Sequence, residues 1–230
     1  MRLKLKENFK PTTNRYRKVL IAGATGLVGG KLFQALLDDR TVTEIHVLSR
    51  RPIGLQHPKL QTHIVNFGQL PALPKVDEIY LALGTTIKVA GSQEAFRAVD
   101  LQANLAVAHA AHSSGARRIG LVSAVGANSQ SNVFYNRVKG ELEEALKAMD
   151  LETLVIAQPS LLLDYRDGLG QPPRLGEKIA IPIAKLLSPL MPAAYKPVHA
   201  QAVAQSLVKT VPTSSGVVVL PSNELIKLGS

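Results

Sequence analysis

The sequence predicts an α/β protein built on a single doubly wound parallel sheet with helices on both faces. Short apolar runs, which suit strands buried on both faces, alternate along the chain with longer segments of helical periodicity. A glycine-rich turn joins the first apolar run directly to the first helical segment. The 230 residues are 46% hydrophobic and contain no repeat or low-complexity linker, so they can bury one full core.

The first element is a strand at Val19–Ala22, followed by glycines at positions 23, 26 and 29 and then by a helix. A side chain at the first glycine would obstruct the tight turn, one at the second would hold the backbone away from a pyrophosphate, and one at the third would push the helix off the sheet. Backbone N–H groups at the helix start can then face phosphates. The motif predicts a Rossmann-like dinucleotide site, and the alternative is an ordinary turn between a strand and a helix. The predicted cofactor contacts here are Gly23, Thr25, Gly26, Leu27 and Val28.

The second strand, Glu44–Leu48, follows a helix at Leu27–Leu37 and ends in Ser49, Arg50 and Arg51. This point lies about 20 residues past the glycine turn, where NAD enzymes usually carry an acid that accepts the ribose 2′-hydroxyl. Two guanidinium groups and a hydroxyl instead suit the 2′-phosphate of NADP. The alternative is a pair of surface arginines that lead into a proline.

Two further strands are predicted at Gln61–Asn66 and Asp77–Leu83, and a long helix at Gln93–Ser113. Ligands of open parallel sheets bind at the carboxyl ends of the strands. The cofactor contacts predicted there are Asn66, Phe67, Leu83, Gly84 and Thr85. His109 and His112 lie one helical turn apart without a convergent third ligand, so we predict no metal site. We expect Asn104, on the same helix, to make a hydrogen bond to a neighbouring helix.

The candidate catalytic residues follow the fifth strand, Ile119–Ser123. Tyr135 lies twelve residues after Ser123 and begins a helix that runs to about Met149, and Lys139 is one turn further on. Positions i and i+4 share a helix face, so the phenol and the ammonium can point at the same substrate. A nearby ammonium lowers the pKa of a tyrosine, which can then exchange a proton while Ser123 holds the substrate oxygen. The alternative is an exposed helix in which Lys139 pairs with Glu143 and Tyr135 merely packs.

The order of these parts is similar to that of the short-chain dehydrogenase/reductase superfamily. Four segments resemble a narrower branch, the atypical members related to the human Tat-interacting oxidoreductase-like protein and its bacterial homologues: ALGTT at 82–86, VD at 99–100, LVSAVGANSQSNVFYNRVKGELE at 121–143 and PSLLLD at 159–164. The resemblance implies a Rossmann domain with bound NADP(H) and catalytic roles for Ser123, Tyr135 and Lys139, the last two also contacting the cofactor. It implies a nicotinamide side lined by Pro159, Ser160 and Leu161. Asn66 stands where relatives often have an aspartate for the adenine amino group, and an asparagine oxygen can accept the same bond.

After a sixth strand at Thr153–Gln158 the chain departs from this pattern. Residues 164–173 predict a mobile loop over the site. The apolar stretch Leu175–Leu190 is interrupted by prolines, and could form a pocket wall, a subunit interface or, least favoured, a membrane contact. We expect a closing helix at His199–Val211 and a last buried strand at Gly216–Leu220, which complete a small C-terminal segment on the substrate side.

Charge is distributed unevenly, since residues 1–18 contain seven basic residues and one acidic residue and supply +6 of the net charge of +10. We therefore interpret residues 1–17 as a basic flexible extension and residues 18–230 as the NAD(P)-binding domain, with no specific nucleic-acid partner. The chain has no cysteine, no signal-peptide core and no apolar run of membrane-span length. These features predict a cytoplasmic protein without a membrane span, which could form a homodimer.

Two functions of different class fit this sequence. The first is an NADPH-dependent oxidoreductase that transfers a hydride to or from a small carbonyl or alcohol substrate with tyrosine as acid/base, or that uses the hydride transiently in an epimerisation. The second is a redox-sensing regulator in which NADPH occupancy alters contacts with a protein partner. We favour the enzyme, because a protein that only binds a cofactor has no chemical need for serine, tyrosine and lysine together.

Overall fold

In the computed structural model of the protein, the described residues are 16–164 and 192–229. Nearly all of the predicted basic extension, the predicted loop beyond residue 164 and the apolar segment 175–190 lie outside the described residues. Among the helices of the described part, none combines the length and the apolar character that crossing a membrane requires.

Seven parallel strands form one sheet in the order β3-β2-β1-β4-β5-β6-β7. Their bounds are β1 Arg17–Ala22, β2 Val42–Ser49, β3 Leu60–Ile64, β4 Glu78–Leu81, β5 Arg118–Val122, β6 Thr153–Gln158 and β7 Gly216–Pro221. The strand order reverses between β1 and β4, which lie side by side at the centre of the sheet. The predicted doubly wound α/β fold is confirmed.

Helices cover both faces of the sheet. Their bounds are α1 Leu27–Asp38, α2 Ile87–Ala90, α3 Gln93–Arg97, α4 Asn104–Ser113, α5 Phe134–Lys147, α6 Ala200–Thr210 and α7 Ser222–Leu228, with a 3-10 turn at Ala193–Tyr195. One core layer lies under α1, α6 and α7, and the other lies under α3, α4 and α5. The central strand β1 contributes side chains to both core layers, because Val19 and Ile21 face the first layer while Leu20 and Ala22 face the second.

The long helix predicted at Gln93–Ser113 is present but is not α-helical throughout. A π-helical segment, Ala98–Ala103, lies between α3 and α4. Such wider turns recur at functional sites because they rotate a side chain out of the regular helical pattern. The side chain of Asp100, in the middle of this segment, is 1% exposed and belongs to the lining of the candidate site described below.

The prediction that the last strand is buried is wrong. β7 lies at the edge of the sheet, where Val217 and Val219 are 53% and 42% exposed. An unbroken run of valine and leucine identifies a strand, but the position of that strand in the sheet decides how much of it is covered.

Arg17 also differs from its prediction, because it begins β1 instead of belonging to the basic extension. Its side chain is buried, and Nη1 donates to Glu78 Oε2 at 2.5 Å while Nη2 pairs with Asp39. Burial raises the pKa of Glu78, and the Arg17 charge opposes that shift. The guanidinium therefore compensates a carboxylate that lies in the core of the sheet.

We predict that Arg17→Met lowers the free energy of unfolding by about 3–5 kcal/mol, because the buried carboxylate of Glu78 loses its cation. The loss should be smaller at about pH 5 than at about pH 8. A carboxyl group whose pKa is raised by folding contributes stability that is present at low pH and is lost as the pH rises through the folded pKa. Urea denaturation of the wild type and the variant at both pH values measures the difference.

Lys18→Met is the matched control, since the neighbouring Lys18 side chain is 53% exposed in its ion pair with Glu44. We expect this variant to unfold almost like the wild type. Equal losses in the two variants would contradict the role assigned to Arg17.

Candidate active site

The glycine turn brings three elements into backbone contact. Gly23 has a φ of +98°, and a Cβ built on it would lie 2.4 Å from the carbonyl oxygen of Ala82, just after β4. A Cβ on Gly29 would lie 2.0 Å from the carbonyl oxygen of Gly23. Neither position can accept a side chain, so α1 and the end of β4 both pack directly on this turn.

The start of α1 is suited to hold an anion. Gly26 is its N-cap, no side chain caps the helix there, and the first turn contains no acidic residue. The first N–H groups of a helix have no partner within the helix, and its dipole is positive at this end. Gly26, Leu27 and Val28 all line the adjoining cleft. A dinucleotide pyrophosphate fits this environment.

This cleft has a volume of about 1440 Å³ and lies at the carboxyl ends of the central strands, beside the reversal of strand order. Most of the residues predicted to bind or act on ligands line it: Gly23, Thr25, Gly26, Leu27, Val28, Arg50, Asn66, Phe67, Leu83, Gly84, Thr85, Ser123, Tyr135, Lys139, Pro159 and Ser160. The cleft is not lined by Ser49, Arg51 or Leu161, whereas Leu162 does line it. The Ser49 hydroxyl accepts a hydrogen bond from the Arg51 backbone N–H at 3.3 Å.

The three candidate catalytic residues lie in this one cleft. Ser123 follows β5, and Tyr135 and Lys139 lie in the first half of α5. The Tyr135 ring packs against Phe96 of α3 at a centroid distance of 5.7 Å and an interplanar angle of 50°, which restricts where the phenol can point. Residues from separate parts of the sequence therefore meet at the carboxyl edge of the sheet.

Lys139 makes a buried ion pair that sequence reasoning missed. Its Nζ lies 2.7 Å from Oδ1 of Asp100, and the Lys139 and Asp100 side chains are 6% and 1% exposed. Asp100 Oδ2 also accepts the Thr85 backbone N–H at 2.8 Å. The alternative in which Lys139 pairs with Glu143 on an exposed helix is therefore wrong. A carboxylate between Val99 and Leu101 is the signal that could have pointed to Asp100.

Glu143 has a different partner. The Ser123 hydroxyl donates to Glu143 Oε1 at 2.5 Å, and both residues are buried. The Gln158 amide donates to both carboxylate oxygens, at 2.9 and 3.1 Å. These contacts orient the Ser123 hydroxyl along the cleft wall, because its single proton is directed to Glu143.

Asn104 does not make the expected bond to a neighbouring helix. Its Nδ2 donates to the carbonyl oxygens of Leu83, Val99 and Asp100 at 3.1–3.3 Å. The amide thus connects the end of β4 to the π-helical segment, where the wider turn leaves carbonyl groups for it to bond.

The two ends of the cleft are also held by local contacts. On one side, Asn66 Oδ1 accepts the Gly68 backbone N–H at 2.9 Å. On the other, the Ser160 hydroxyl donates to the Lys196 carbonyl at 2.5 Å, and the Ser160 N–H donates to Ser222 Oγ at 2.8 Å. Within the described part of the chain, no three histidine or carboxylate side chains are grouped so as to hold a metal ion.

Comparison with known proteins places this geometry in context. Residues 19–139 match the profile of the NAD dependent epimerase/dehydratase family. Protein FMP52, mitochondrial, of Eremothecium gossypii is 34% identical over 173 residues, which are 73% of this chain and 75% of that protein. The protein of the same name from Meyerozyma guilliermondii is 28% identical over 221 residues, or 91% of this chain and 94% of that protein.

Solved structures of similar fold include MoeE5 in complex with UDP-glucose and NAD, with a TM-score of 0.66 and 14% identity over 92% of this chain and 80% of that one. The ADP-L-glycero-D-manno-heptose-6-epimerase of Helicobacter pylori has a TM-score of 0.63 and 17% identity, over 93% of this chain and 81% of that one. At these identities the likeness concerns the fold, and it agrees with the single parallel sheet.

The relatives contradict the predicted cytoplasmic location, because they are named as mitochondrial proteins. The absence of cysteine suits any reducing compartment, so it does not distinguish the cytoplasm from an organelle. The basic, acid-poor composition of residues 1–18 is shared by transit peptides, so it does not favour the cytoplasm either.

We predict that Gly29→Ala abolishes dinucleotide binding and destabilises the domain by about 3 kcal/mol or more, because the new methyl group would collide with the Gly23 carbonyl. Gly30→Ala is the matched control in the same helix, since a Cβ there would lie 3.5 Å from the Ala24 carbonyl. We expect that variant to be unchanged or more stable by up to about 1 kcal/mol. Thermal unfolding and calorimetric titration with NADPH test both variants, and similar behaviour of the two would contradict the packing described for Gly29.

Proposed function

The chain belongs to the NAD dependent epimerase/dehydratase family, and we propose that it is an NADPH-dependent oxidoreductase acting on a small carbonyl or alcohol substrate. The observation that carries this proposal is that Ser123, Tyr135 and Lys139 line the same cleft as the glycine turn. A site that only stored a cofactor would not need a hydroxyl, a phenol and an ammonium at one end. Epimerisation through a transient hydride transfer would use the same groups.

Different residues of the cleft would bind different parts of the cofactor. The N–H groups at the start of α1 would bind the pyrophosphate, and the missing side chain at Gly26 leaves the backbone open to it. Arg50 would bind the adenosine 2′-phosphate, which distinguishes NADP from NAD. Pro159 and Ser160 would line the nicotinamide side. When bound, the nicotinamide ring supplies or accepts the hydride.

Side chains of the protein would then transfer the proton and position the substrate oxygen. The Tyr135 hydroxyl would give a proton to the carbonyl oxygen in reduction and take it back in oxidation. To position that carbonyl oxygen, Ser123 would turn its single hydroxyl proton from Glu143 to the substrate, because a carbonyl oxygen only accepts hydrogen bonds. Asp100 would hold the Lys139 ammonium in place inside the cleft wall through their ion pair.

We also propose that the chain belongs to the narrower atypical branch related to the Tat-interacting oxidoreductase-like protein. The support is the sequence of four segments, 82–86, 99–100, 121–143 and 159–164. They lie at the ends of β4, β5 and β6, in the π-helical segment and in the first part of α5. The curated relatives reported above carry the name FMP52, which neither requires nor opposes this placement.

We predict that Tyr135→Phe lowers kcat for carbonyl reduction by about 10²–10⁴-fold while the Kd for NADPH changes little, because only the proton donor is removed. A panel of small aldehydes and ketones, followed by NADPH absorbance, measures the rate, and calorimetry measures binding.

Tyr195→Phe is the control, since Tyr195 is 53% exposed and does not line the cleft. If NADPH binds but no compound gives turnover that depends on Tyr135, the enzyme proposal fails. The redox-sensing regulator then becomes the better account.

We predict that Arg50→Ala raises the Kd for NADPH by about tenfold or more relative to the Kd for NADH, because only NADPH carries the 2′-phosphate. Arg51→Ala should have the smaller effect, since Arg51 does not line the cleft. Equal weakening of both dinucleotides by Arg50→Ala would remove the argument for NADPH.

A further inference from the structure

The buried ion pair between Asp100 and Lys139 supplies the two charged side chains that line the cleft on the same side as Tyr135. Of the described residues that line the cleft, Arg50, Asp100 and Lys139 carry a charge. Arg50 follows β2, on the far side of β1 from β4 and β5. The Lys139 and Asp100 charges lie 2.7 Å apart and are neutral as a pair. The other buried carboxylate nearby, Glu143, lies behind Ser123 and does not itself line the cleft.

The ion pair lies beside the backbone of Gly84, which also lines the cleft. A Cβ built on Gly84 would lie 3.4 Å from Asp100 Oδ1 and 3.8 Å from Lys139 Nζ. The Thr85 backbone N–H donates to the other oxygen of Asp100 at 2.8 Å, so the carboxylate is fixed from two sides. Because both side chains are almost fully buried, water screens their charges poorly.

The two redox states of the nicotinamide ring differ in charge, since the oxidised ring is positive and the reduced ring is neutral. A buried ammonium without its carboxylate would repel the oxidised ring and leave the reduced ring unaffected. We propose that Asp100 sets the preference of the site between NADP⁺ and NADPH by neutralising Lys139. This inference rests on the proposed function, because it needs a nicotinamide dinucleotide in the cleft.

In this account Asp100 is a specificity-determining residue for the redox state of the cofactor. It lies in the π-helical segment Ala98–Ala103 and lines the cleft. Its effect is on the ratio of two affinities, so a change in the shape of the site that weakens both dinucleotides equally leaves that ratio unchanged.

The test measures Kd for NADP⁺ and for NADPH by calorimetry at about pH 7, and needs no substrate. Asp100→Asn keeps the shape of the side chain and an oxygen for the Thr85 N–H, but leaves Lys139 uncompensated. We expect it to raise the ratio of Kd for NADP⁺ to Kd for NADPH by about tenfold. Lys139→Met should move the ratio in the opposite direction, and the double variant should return it close to the wild-type value.

Glu141→Gln is the matched control. Glu141 forms an ion pair with Arg97 at 2.5 Å that joins α5 to α3, but it is more exposed, with side chains 28% and 40% exposed. It should leave the ratio unchanged. If Asp100→Asn fails to fold, Lys139→Met and the double variant still give the predicted sign and its reversal.

Three results would overturn the inference. The first is an unchanged ratio in Asp100→Asn or, where that variant does not fold, in Lys139→Met, with both dinucleotides still bound. The second is a double variant that keeps the shifted ratio of a single variant, since the effect would then not arise from charge. In both cases the proposed function stands. Wild-type protein that binds neither dinucleotide would instead overturn the proposed function and this inference together.

Discussion

The backbone contact at the glycine turn is the constraint on which the rest of the site depends. Gly29 packs on the carbonyl of Gly23, and Gly23 packs against Ala82, so β1, α1 and the end of β4 meet with no side chain between them. The start of α1 is thereby brought to the carboxyl ends of the central strands. Because all strands of a parallel sheet end at the same edge, residues far apart in the chain, such as Gly84 and Ser123, line one cleft.

Compensation of buried charge is the second organising feature. An unpaired charge in the core costs several kcal/mol, and each buried ionic group in the cleft wall has a partner supplied by another element. Asp100 from the π-helical segment pairs with Lys139 of α5, while Glu143 of the same helix accepts from Ser123 and Gln158. The inner face of α5 therefore combines core packing with the polar groups of the site. Arg17 compensates Glu78 in the same way at the opposite end of the sheet.

The successes and failures of sequence reasoning have a common physical basis. Alternation of apolar runs and helical stripes reports local structure, so the strands, the main helices and the parallel sheet were predictable. Burial depends on neighbours that are remote in sequence, which is why β7 was predicted to be buried although it is an edge strand. Arg17 was predicted to belong to the extension and not to β1 for the same reason, since its carboxylate partners lie 22 and 61 residues away.

The sequence by itself determined the strand–turn–helix motif, the fold class, and the grouping of Tyr135 and Lys139 on one face of a helix. These features depend on spacings of a few residues, and backbone geometry converts such spacings directly into direction. Only the tertiary structure decided that Lys139 pairs with Asp100, that Glu143 orients Ser123, and that Arg50 reaches the cleft while Arg51 does not. Those outcomes depend on which elements pack together, because the partner of a buried charge is set by proximity in space.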